Sequence, residues 1–279
     1  MELEKKTQLI ALDLDGTSLN NIHEFSPKLV MILRKLSSAG LLISITTGRS
    51  TIDVLDKLKI LDLKQDIFPC VTYNGGKTFI AKRDGEKYFV HHTIFSGHVP
   101  EDISKRLIKL STDLGLVLQY YNGDDGNVYA VPLTDEHISL LDKYAKLVGR
   151  KQVLIGSYDE VINEFYPTKI LILTNDTDAL ISEAKRLFTT DEVNIICGTQ
   201  ATSSPYFVEF LHPSVTKGVG LRHMCAYLNI STDQTIAFGD GDNDKELISY
   251  SGTGNVLLIH ISIEYKHIYF EGDDEWLSW

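Results

Sequence analysis

Two aspartates one residue apart, Asp13 and Asp15, follow the apolar run Leu9-Ile10-Ala11-Leu12 and precede Gly16-Thr17. The run has strand propensity, and the period-2 geometry of a strand predicts both acids on one side of the backbone, at the end of a buried strand. Side by side they repel, and each costs several kcal/mol to desolvate unless a cation compensates. A hard divalent cation such as Mg2+ suits them, because it takes oxygen ligands and keeps several waters. The plain alternative for these few residues is a polar turn after a strand, since Asp and Gly are common turn residues. A second acidic group, Asp240-Gly241-Asp242-Asn243-Asp244, lies more than two hundred positions away. A calcium loop starting at Asp240 would need a glutamate at its twelfth position; that position is Ser251.

The elements between these groups explain how they can meet. Ser26-Pro27 predicts a helix start, with Ser26 as N-cap, running to Ser38 and stopped by Ala39-Gly40. Leu41 to Ile45 reads as a short strand ending in Thr46-Thr47-Gly48-Arg49. A second helix follows, with Ile52, Leu55 and Leu58 as its apolar stripe, and then a strand from Phe68 to Tyr73 ending at Asn74-Gly75. Strand, helix, strand, helix, strand with short links predicts right-handed crossovers and a parallel sheet. Ligands bind beyond the carboxyl ends of such strands, where Asp13, Thr47 and Asn74 all fall.

Lys77 to Thr93 reads as a hairpin turning at Arg83-Asp84-Gly85-Glu86. From 94 to 212 the pattern changes to an α+β unit. Its predicted helices are Glu101 to Leu114, Glu136 to Gly149 and Ala179 to Phe188; its predicted strands are Leu116 to Tyr121, Lys169 to Leu173, Val193 to Cys197 and Tyr206 to Leu211. The parallel pattern then resumes with a helix from Lys217 to Leu228 and a strand from Thr235 to Phe238 that delivers Asp240 to the same edge. The expected fold is therefore α/β, a Rossmann-like parallel-sheet core of residues 1–93 and 213–279 with an inserted α+β cap at 94–212.

Composition sets limits on partners. A net charge of −11 argues against a general nucleic-acid or anionic-membrane binder, either of which needs a basic face. It leaves room for a small anionic substrate served by a few local cations. Cys70, Cys197 and Cys225 show neither metal-ligand spacing nor an even-numbered disulfide framework, so a reducing, cytoplasmic setting is expected. The charged start, Met1 to Lys6, carries no apolar signal segment.

Taken together, Asp13-Leu14-Asp15-Gly16-Thr17, Thr47-Gly48-Arg49, Lys217-Gly218 and Gly239-Asp240 with Asn243-Asp244 resemble the four motifs of the haloacid dehalogenase-like hydrolase superfamily. The Asn74-Gly75 turn and the large insertion between the second and third motifs resemble its Cof-like branch, the type IIB sugar-phosphate phosphatases. The resemblance implies a Mg2+-dependent phosphatase acting on small phosphate monoesters. It implies Asp13 as nucleophile, forming an aspartyl-phosphate, and Asp15 as the acid that protonates the leaving oxygen and then activates water. It implies Mg2+ on the Asp13 side chain, the Asp15 backbone carbonyl and Asp240, with Asp244 in support and also holding Lys217. Phosphate contacts fall to Thr47, through hydroxyl and backbone N–H, and to Gly48, Asn74, Lys217 and Asn243.

Several residues have plainer readings. Thr47 alone could be a helix N-cap, and Lys217 alone a solvated surface lysine. His91 and His92, adjacent in a strand, point to opposite faces and make no metal pair. Tyr120-Tyr121 and Phe207 to Phe210 read as strand packing, and Gly123 to Gly126 as a turn. The insertion is expected to act as a lid over a small phosphorylated metabolite rather than a phosphoprotein. Residues 255–279 depart from the family pattern; the tail either adds a strand to the core sheet or is an altered, aggregation-prone segment. The alternatives are thus a catalytically impaired metabolite-binding or regulatory protein, and a phosphomutase on the same fold.

Overall fold

The computed structural model describes residues 6–20, 22–124, 126–148, 150–197 and 206–256. Among them, thirteen strands form two sheets. The first half of the chain supplies β1 (Leu9–Leu12), α1 (Pro27–Ser38), β2 (Leu42–Thr46), α2 (Thr51–Leu61), β3 (Phe68–Thr72), β4 (Lys77–Asp84) and β5 (Lys87–Ser96). Next come α3 (Glu101–Asp113), β6 (Val117–Tyr121), β7 (Val128–Ala130), α4 (Asp135–Val148), β8 (Val153–Leu154), α5 (Asp159–Ile162), β9 (Lys169–Thr174), α6 (Thr177–Leu187), β10 (Asn194–Cys197) and β11 (Tyr206–Leu211). The chain then continues with α7 (Lys217–Leu228), β12 (Thr235–Gly239), α8 (Lys245–Tyr250) and β13 (Thr253–Val256).

A seven-stranded sheet in the order β13-β12-β1-β2-β3-β4-β5 is parallel from β13 to β3 and antiparallel through the β4–β5 hairpin. Alternation along β1 sends Ile10 and Leu12 to one face, where they pack with Leu33 of α1 and Val54 and Leu58 of α2. Leu9 and Ala11 face the other side, against Leu221, Met224 and Cys225 of α7. The second sheet, β10-β11-β9-β6-β7-β8, is antiparallel apart from its β7–β8 edge. One of its faces, with Ile170, Ile172, Val208 and Phe210, packs with Ile103 and Leu107 of α3 and Leu180 of α6. The protein is therefore α/β with a parallel-sheet core and an inserted α+β unit.

Local chemistry sets most boundaries. Ser26 caps α1 by accepting from Leu29 N, with Pro27 at its first turn. Ser50 and Asp53 form a reciprocal capping box at the start of α2. That assignment removes Thr47 as a cap. The buried stripe of α2 is Val54, Leu58 and Leu61, one position round from the expected Ile52, Leu55 and Leu58, of which Leu55 is only partly buried. β13 joins the sheet parallel to β12, and only its last two residues, 255 and 256, belong to the tail of 255–279. Residues 257–279, like Asp125 and Gly149, lie outside the described residues. No helix among the described residues is long and apolar enough to cross a membrane.

Candidate active site at the rim of the parallel sheet

Register brings the motifs level. Leu12 pairs with Ile45 on one side and Phe238 on the other, so Asp13 sits at the height of Thr46 and Gly239. The Asp13 N–H donates to Phe238 O at 3.1 Å, continuing the ladder by one rung. Asp240 and Thr47 each lie one residue further out. Sterics then close the gap between β1 and β12: Gly16 has φ +80°, and a Cβ there would lie 2.1 Å from Asp240 Oδ2. Only glycine combines that conformation with that approach.

Carboxylate oxygens of Asp13, Asp240 and Asp244 lie within 4.8 Å of one another. Lys217, at the first turn of α7 and 1% exposed, donates from Nζ to Asp13 Oδ1 at 2.7 Å and Asp244 Oδ1 at 2.8 Å. Asp244 Oδ2 also accepts the backbone N–H groups of Asp240 and Gly241, at 3.2 and 3.1 Å, so it staples the loop that carries Asp240. Thr17 Oγ1 donates to Asp240 Oδ1 at 2.7 Å.

The charges do not balance. Three carboxylates face one ammonium, which leaves two negative charges in a largely buried place. Burial, then the Asp244 and Asp240 charges, push the Asp13 carboxyl up to about 7 against the pull of Lys217. Burial and Asp244 also raise Asp240. Burial opposes the charge on Lys217, but Asp13 and Asp244 outweigh it and hold the ammonium protonated. An all-oxygen donor set short of two positive charges fits a hard divalent cation such as Mg2+.

Asp15 is not in that cluster. The strand ends at Leu12, one residue before the first acid, so alternation does not carry through to Asp15. Its carboxylate accepts both Nε (2.6 Å) and Nη2 of Arg49, and His23 Nδ1 lies 3.2 Å away. Burial alone would raise Asp15, but Arg49 and then His23 overcome it and hold the carboxyl below its ordinary range. Of the expected metal set, the carboxylates of Asp13, Asp240 and Asp244 converge, while Asp15, expected to contribute its backbone carbonyl, has its carboxylate bound by a guanidinium.

Thr47 differs in one respect too. Its backbone N–H is spent on Val71 O at 2.9 Å, so it has only the buried hydroxyl to offer a ligand. The Asn74 N–H donates to Thr47 O at 3.0 Å, and Asn243 Nδ2 donates to Asn74 Oδ1 at 2.9 Å, which joins three of the expected phosphate contacts into one network. Gly75 needs its φ of +103°, and a Cβ there would strike Thr216 O at 2.1 Å.

From the second sheet, Lys169 Nζ donates to Gly48 O at 3.3 Å and Glu209 Oε2 accepts from Asn74 Nδ2 at 2.7 Å. Lys77 Nζ donates to Gly123 O at 2.8 Å and Asp124 Oδ1 at 2.9 Å, so the expected Gly123–Gly126 turn also reaches the core. Sequence reasoning gave no role to His23, Lys169 and Glu209, nor to Thr17 and Arg49 although both stood inside quoted motifs. His92 stacks on Tyr227 with ring centroids 5.0 Å apart. Tyr120 and Phe210 are fully buried in strand packing, as expected of them.

Comparison with known proteins agrees with this geometry. The haloacid dehalogenase-like hydrolase family model matches residues 10–257. The chain is 27% identical over 256 residues to 5-amino-6-(5-phospho-D-ribitylamino)uracil phosphatase YitU of Bacillus subtilis (strain 168), covering 90% of this chain and 87% of that protein. Its fold resembles the crystal structure of TM0651 from Thermotoga maritima, with a TM-score of 0.70 and 23% identity over 89% of this chain and 85% of that one. It also resembles the subclass IIB sugar phosphatase BT4131, with a TM-score of 0.68 and 20% identity over 89% of this chain and 86% of that one.

Proposed function

Because the chain belongs to the haloacid dehalogenase-like hydrolases and is thus a hydrolytic enzyme, we propose that it is a Mg2+-dependent phosphatase. Its substrates in this reading are small phosphate monoesters, sugar phosphates among them, cleaved through an aspartyl-phosphate. The observation that carries the reading is the meeting of Asp13, Asp240 and Asp244 around Lys217 with two negative charges uncompensated. YitU is named for a phosphorylated ribityl compound and BT4131 for sugar phosphates, which supports that substrate class.

Phosphate monoesters resist hydrolysis, and enzymes accelerate it by up to ~10²¹-fold. The work divides among a nucleophile, charge neutralisation and an acid for the leaving alkoxide. Asp13 attacks phosphorus through a carboxylate oxygen; the bond to the leaving oxygen breaks, and Asp15 gives that oxygen a proton. Asp15 then takes a proton from the water that attacks phosphorus and frees Asp13. For its first task Asp15 must leave the Arg49 pair that holds it ionised and take up a proton from water, and the incoming phosphate dianion is a competitor for that guanidinium. Lys217, the Thr47 hydroxyl, Gly48, Asn74 and Asn243 hold the phosphoryl oxygens. Asp13, Asp240 and the Asp15 backbone carbonyl would hold Mg2+, with Asp244 in support; when bound, the ion neutralises charge developing on the phosphoryl group.

Residues 1–93 and 213–279 act as the catalytic core and 94–212 as a cap that excludes water and meets the leaving group. Contacts across the two, from Lys169 to Gly48 and from Asn74 to Glu209, support that division. Three free cysteines accord with a cytoplasmic setting.

Release of inorganic phosphate from p-nitrophenyl phosphate, with and without EDTA, tests the reading. We expect turnover that EDTA abolishes and that Asp13→Asn reduces by at least about 10³-fold. Folded protein without metal-dependent turnover, indifferent to Asp13→Asn, would overturn it.

A further inference from the structure

The buried ion pair between Lys169 and Glu209 has no part in the chemistry described so far. Lys169 opens β9, Glu209 lies on β11, and Glu209 pairs in register with Leu171, so the two charges are diagonal neighbours on one face of the second sheet. Their side chains are 5% and 6% exposed and the Nζ–Oε1 distance is 2.5 Å. Burying such a pair rarely adds net stability over apolar residues of the same volume. The remaining bonding capacity of both groups is directed at the core. Lys169 Nζ donates to Gly48 O at 3.3 Å and lies over the Tyr121 ring, 4.7 Å from its centroid. Glu209 Oε2 accepts from Asn74 Nδ2 at 2.7 Å.

A carboxylate only accepts hydrogen bonds, whereas an amide end can donate or accept according to how it is turned. Glu209 therefore dictates that Asn74 presents Nδ2 to the second sheet, and Oδ1 must then face Asn243, whose Nδ2 donates to it at 2.9 Å. Asn243 belongs to the loop that carries Asp240 and Asp244, and the Asn74 backbone N–H is bound to Thr47 O. One cap carboxylate thus fixes an amide that ties the turn after β3 to the loop after β12.

We propose that Glu209, anchored by Lys169, is a positioning residue that acts through Asn74. It sets the Asn74 amide so that the phosphate pocket is complete only while the inserted unit is seated on the core. What the pocket holds rests on the phosphatase reading; the coupling between Glu209 and Asn74 does not.

A double-mutant cycle tests it, with the affinity for inorganic phosphate in Mg2+ measured by calorimetry on the full chain. Glu209→Gln keeps the shape and leaves Lys169 an acceptor, and it is expected to weaken phosphate binding about tenfold in the native background. In the Asn74→Ala background the same change is expected to cost less than about twofold, because the residue it acts through is gone. A merely structural role would give equal losses in both backgrounds, and that result overturns the proposal, as does no loss in the native background. Thermal unfolding checks that each variant folds. If Glu209→Gln does not, Lys169→Met with Glu209→Leu removes both charges at similar volume and takes its place in the cycle. Phosphate binding without hydrolysis of p-nitrophenyl phosphate would sink the phosphatase reading while the cycle still judges Glu209. A native chain that binds no phosphate overturns the proposal outright.

Discussion

The rim of the seven-stranded sheet and the inner face of the six-stranded sheet both bury charge, but in opposite ways. At the rim, three carboxylates meet one lysine, two negative charges stay uncompensated, and Asp13 is driven far from its ordinary range. On the inner face, Lys169 and Glu209 cancel, and their spare bonding capacity goes to Gly48 and Asn74. An unbalanced cluster of oxygen donors is suited to a hard cation, and in the proposed function the phosphate follows it. A balanced one is suited to holding two parts of the chain in register.

The largest test of that contrast is Lys217→Met. It removes the cation that, among the described residues, is bonded to two of the three acids, and breaking a buried ion pair in this way costs about 3–5 kcal/mol. We expect that loss in chemical denaturation without Mg2+, partly restored by Mg2+, together with a fall of about 10²–10³-fold in kcat/KM. Stability insensitive to the change would mean that the rim charges are solvated.

Gly16→Ala comes next. The added methyl meets Asp240 Oδ2 and the backbone is at positive φ, so the carboxylate must move, and a displacement near 1 Å costs about 10²-fold in rate. Activity within twofold of native would contradict the close packing of β1 against β12.

The pH dependence of Mg2+ binding sharpens the point. The folded-state value of Asp13, about 7, lies above its ordinary 3.8, so between those limits the folded chain holds a proton that the unfolded chain has lost. That contribution to stability is complete below pH 3.8 and disappears as pH rises to about 7. Mg2+ must displace the same proton. The upward shift in Tm on adding Mg2+ is therefore expected to be larger at pH 8 than at pH 5.5; equal shifts would show that Asp13 is not the proton's seat.

The smallest effect belongs to the exposed pair Lys105–Glu101 on α3, which lies over the second sheet. Lys105→Ala is expected to change unfolding free energy by less than about 0.5 kcal/mol and to leave Mg2+ affinity alone. A larger effect on either would blur the distinction between the two regions.

The rim was the most legible part of the sequence because each chemical group there follows an apolar run, and parallel register does the rest. Asp13, Thr47 and Asp240 stand at the ends of β1, β2 and β12 for that reason. The reading missed where β1 stops. With the strand ending at Leu12, Asp15 escapes the alternation and finds Arg49, a partner that no spacing rule points to. Thr47 likewise looked free to donate its N–H because the sheet bond to Val71 cannot be seen in one dimension. In the insertion, β7, β8 and α5 have three, two and four residues, too few to show a period. Lys169 and Glu209 each look like the polar edge of an ordinary strand. Their significance comes from Asn74, 135 positions from Glu209.

Covalent trapping shows whether Asp13 takes the phosphoryl group. The protein is mixed with p-nitrophenyl phosphate and Mg2+, quenched within one turnover, reduced with borohydride and digested for mass spectrometry. An acyl phosphate at Asp13 predicts that this one carboxylate is converted to the alcohol, only with substrate and only with Mg2+. Turnover with Asp13 recovered unmodified, or reduction at another acid instead, would contradict the account.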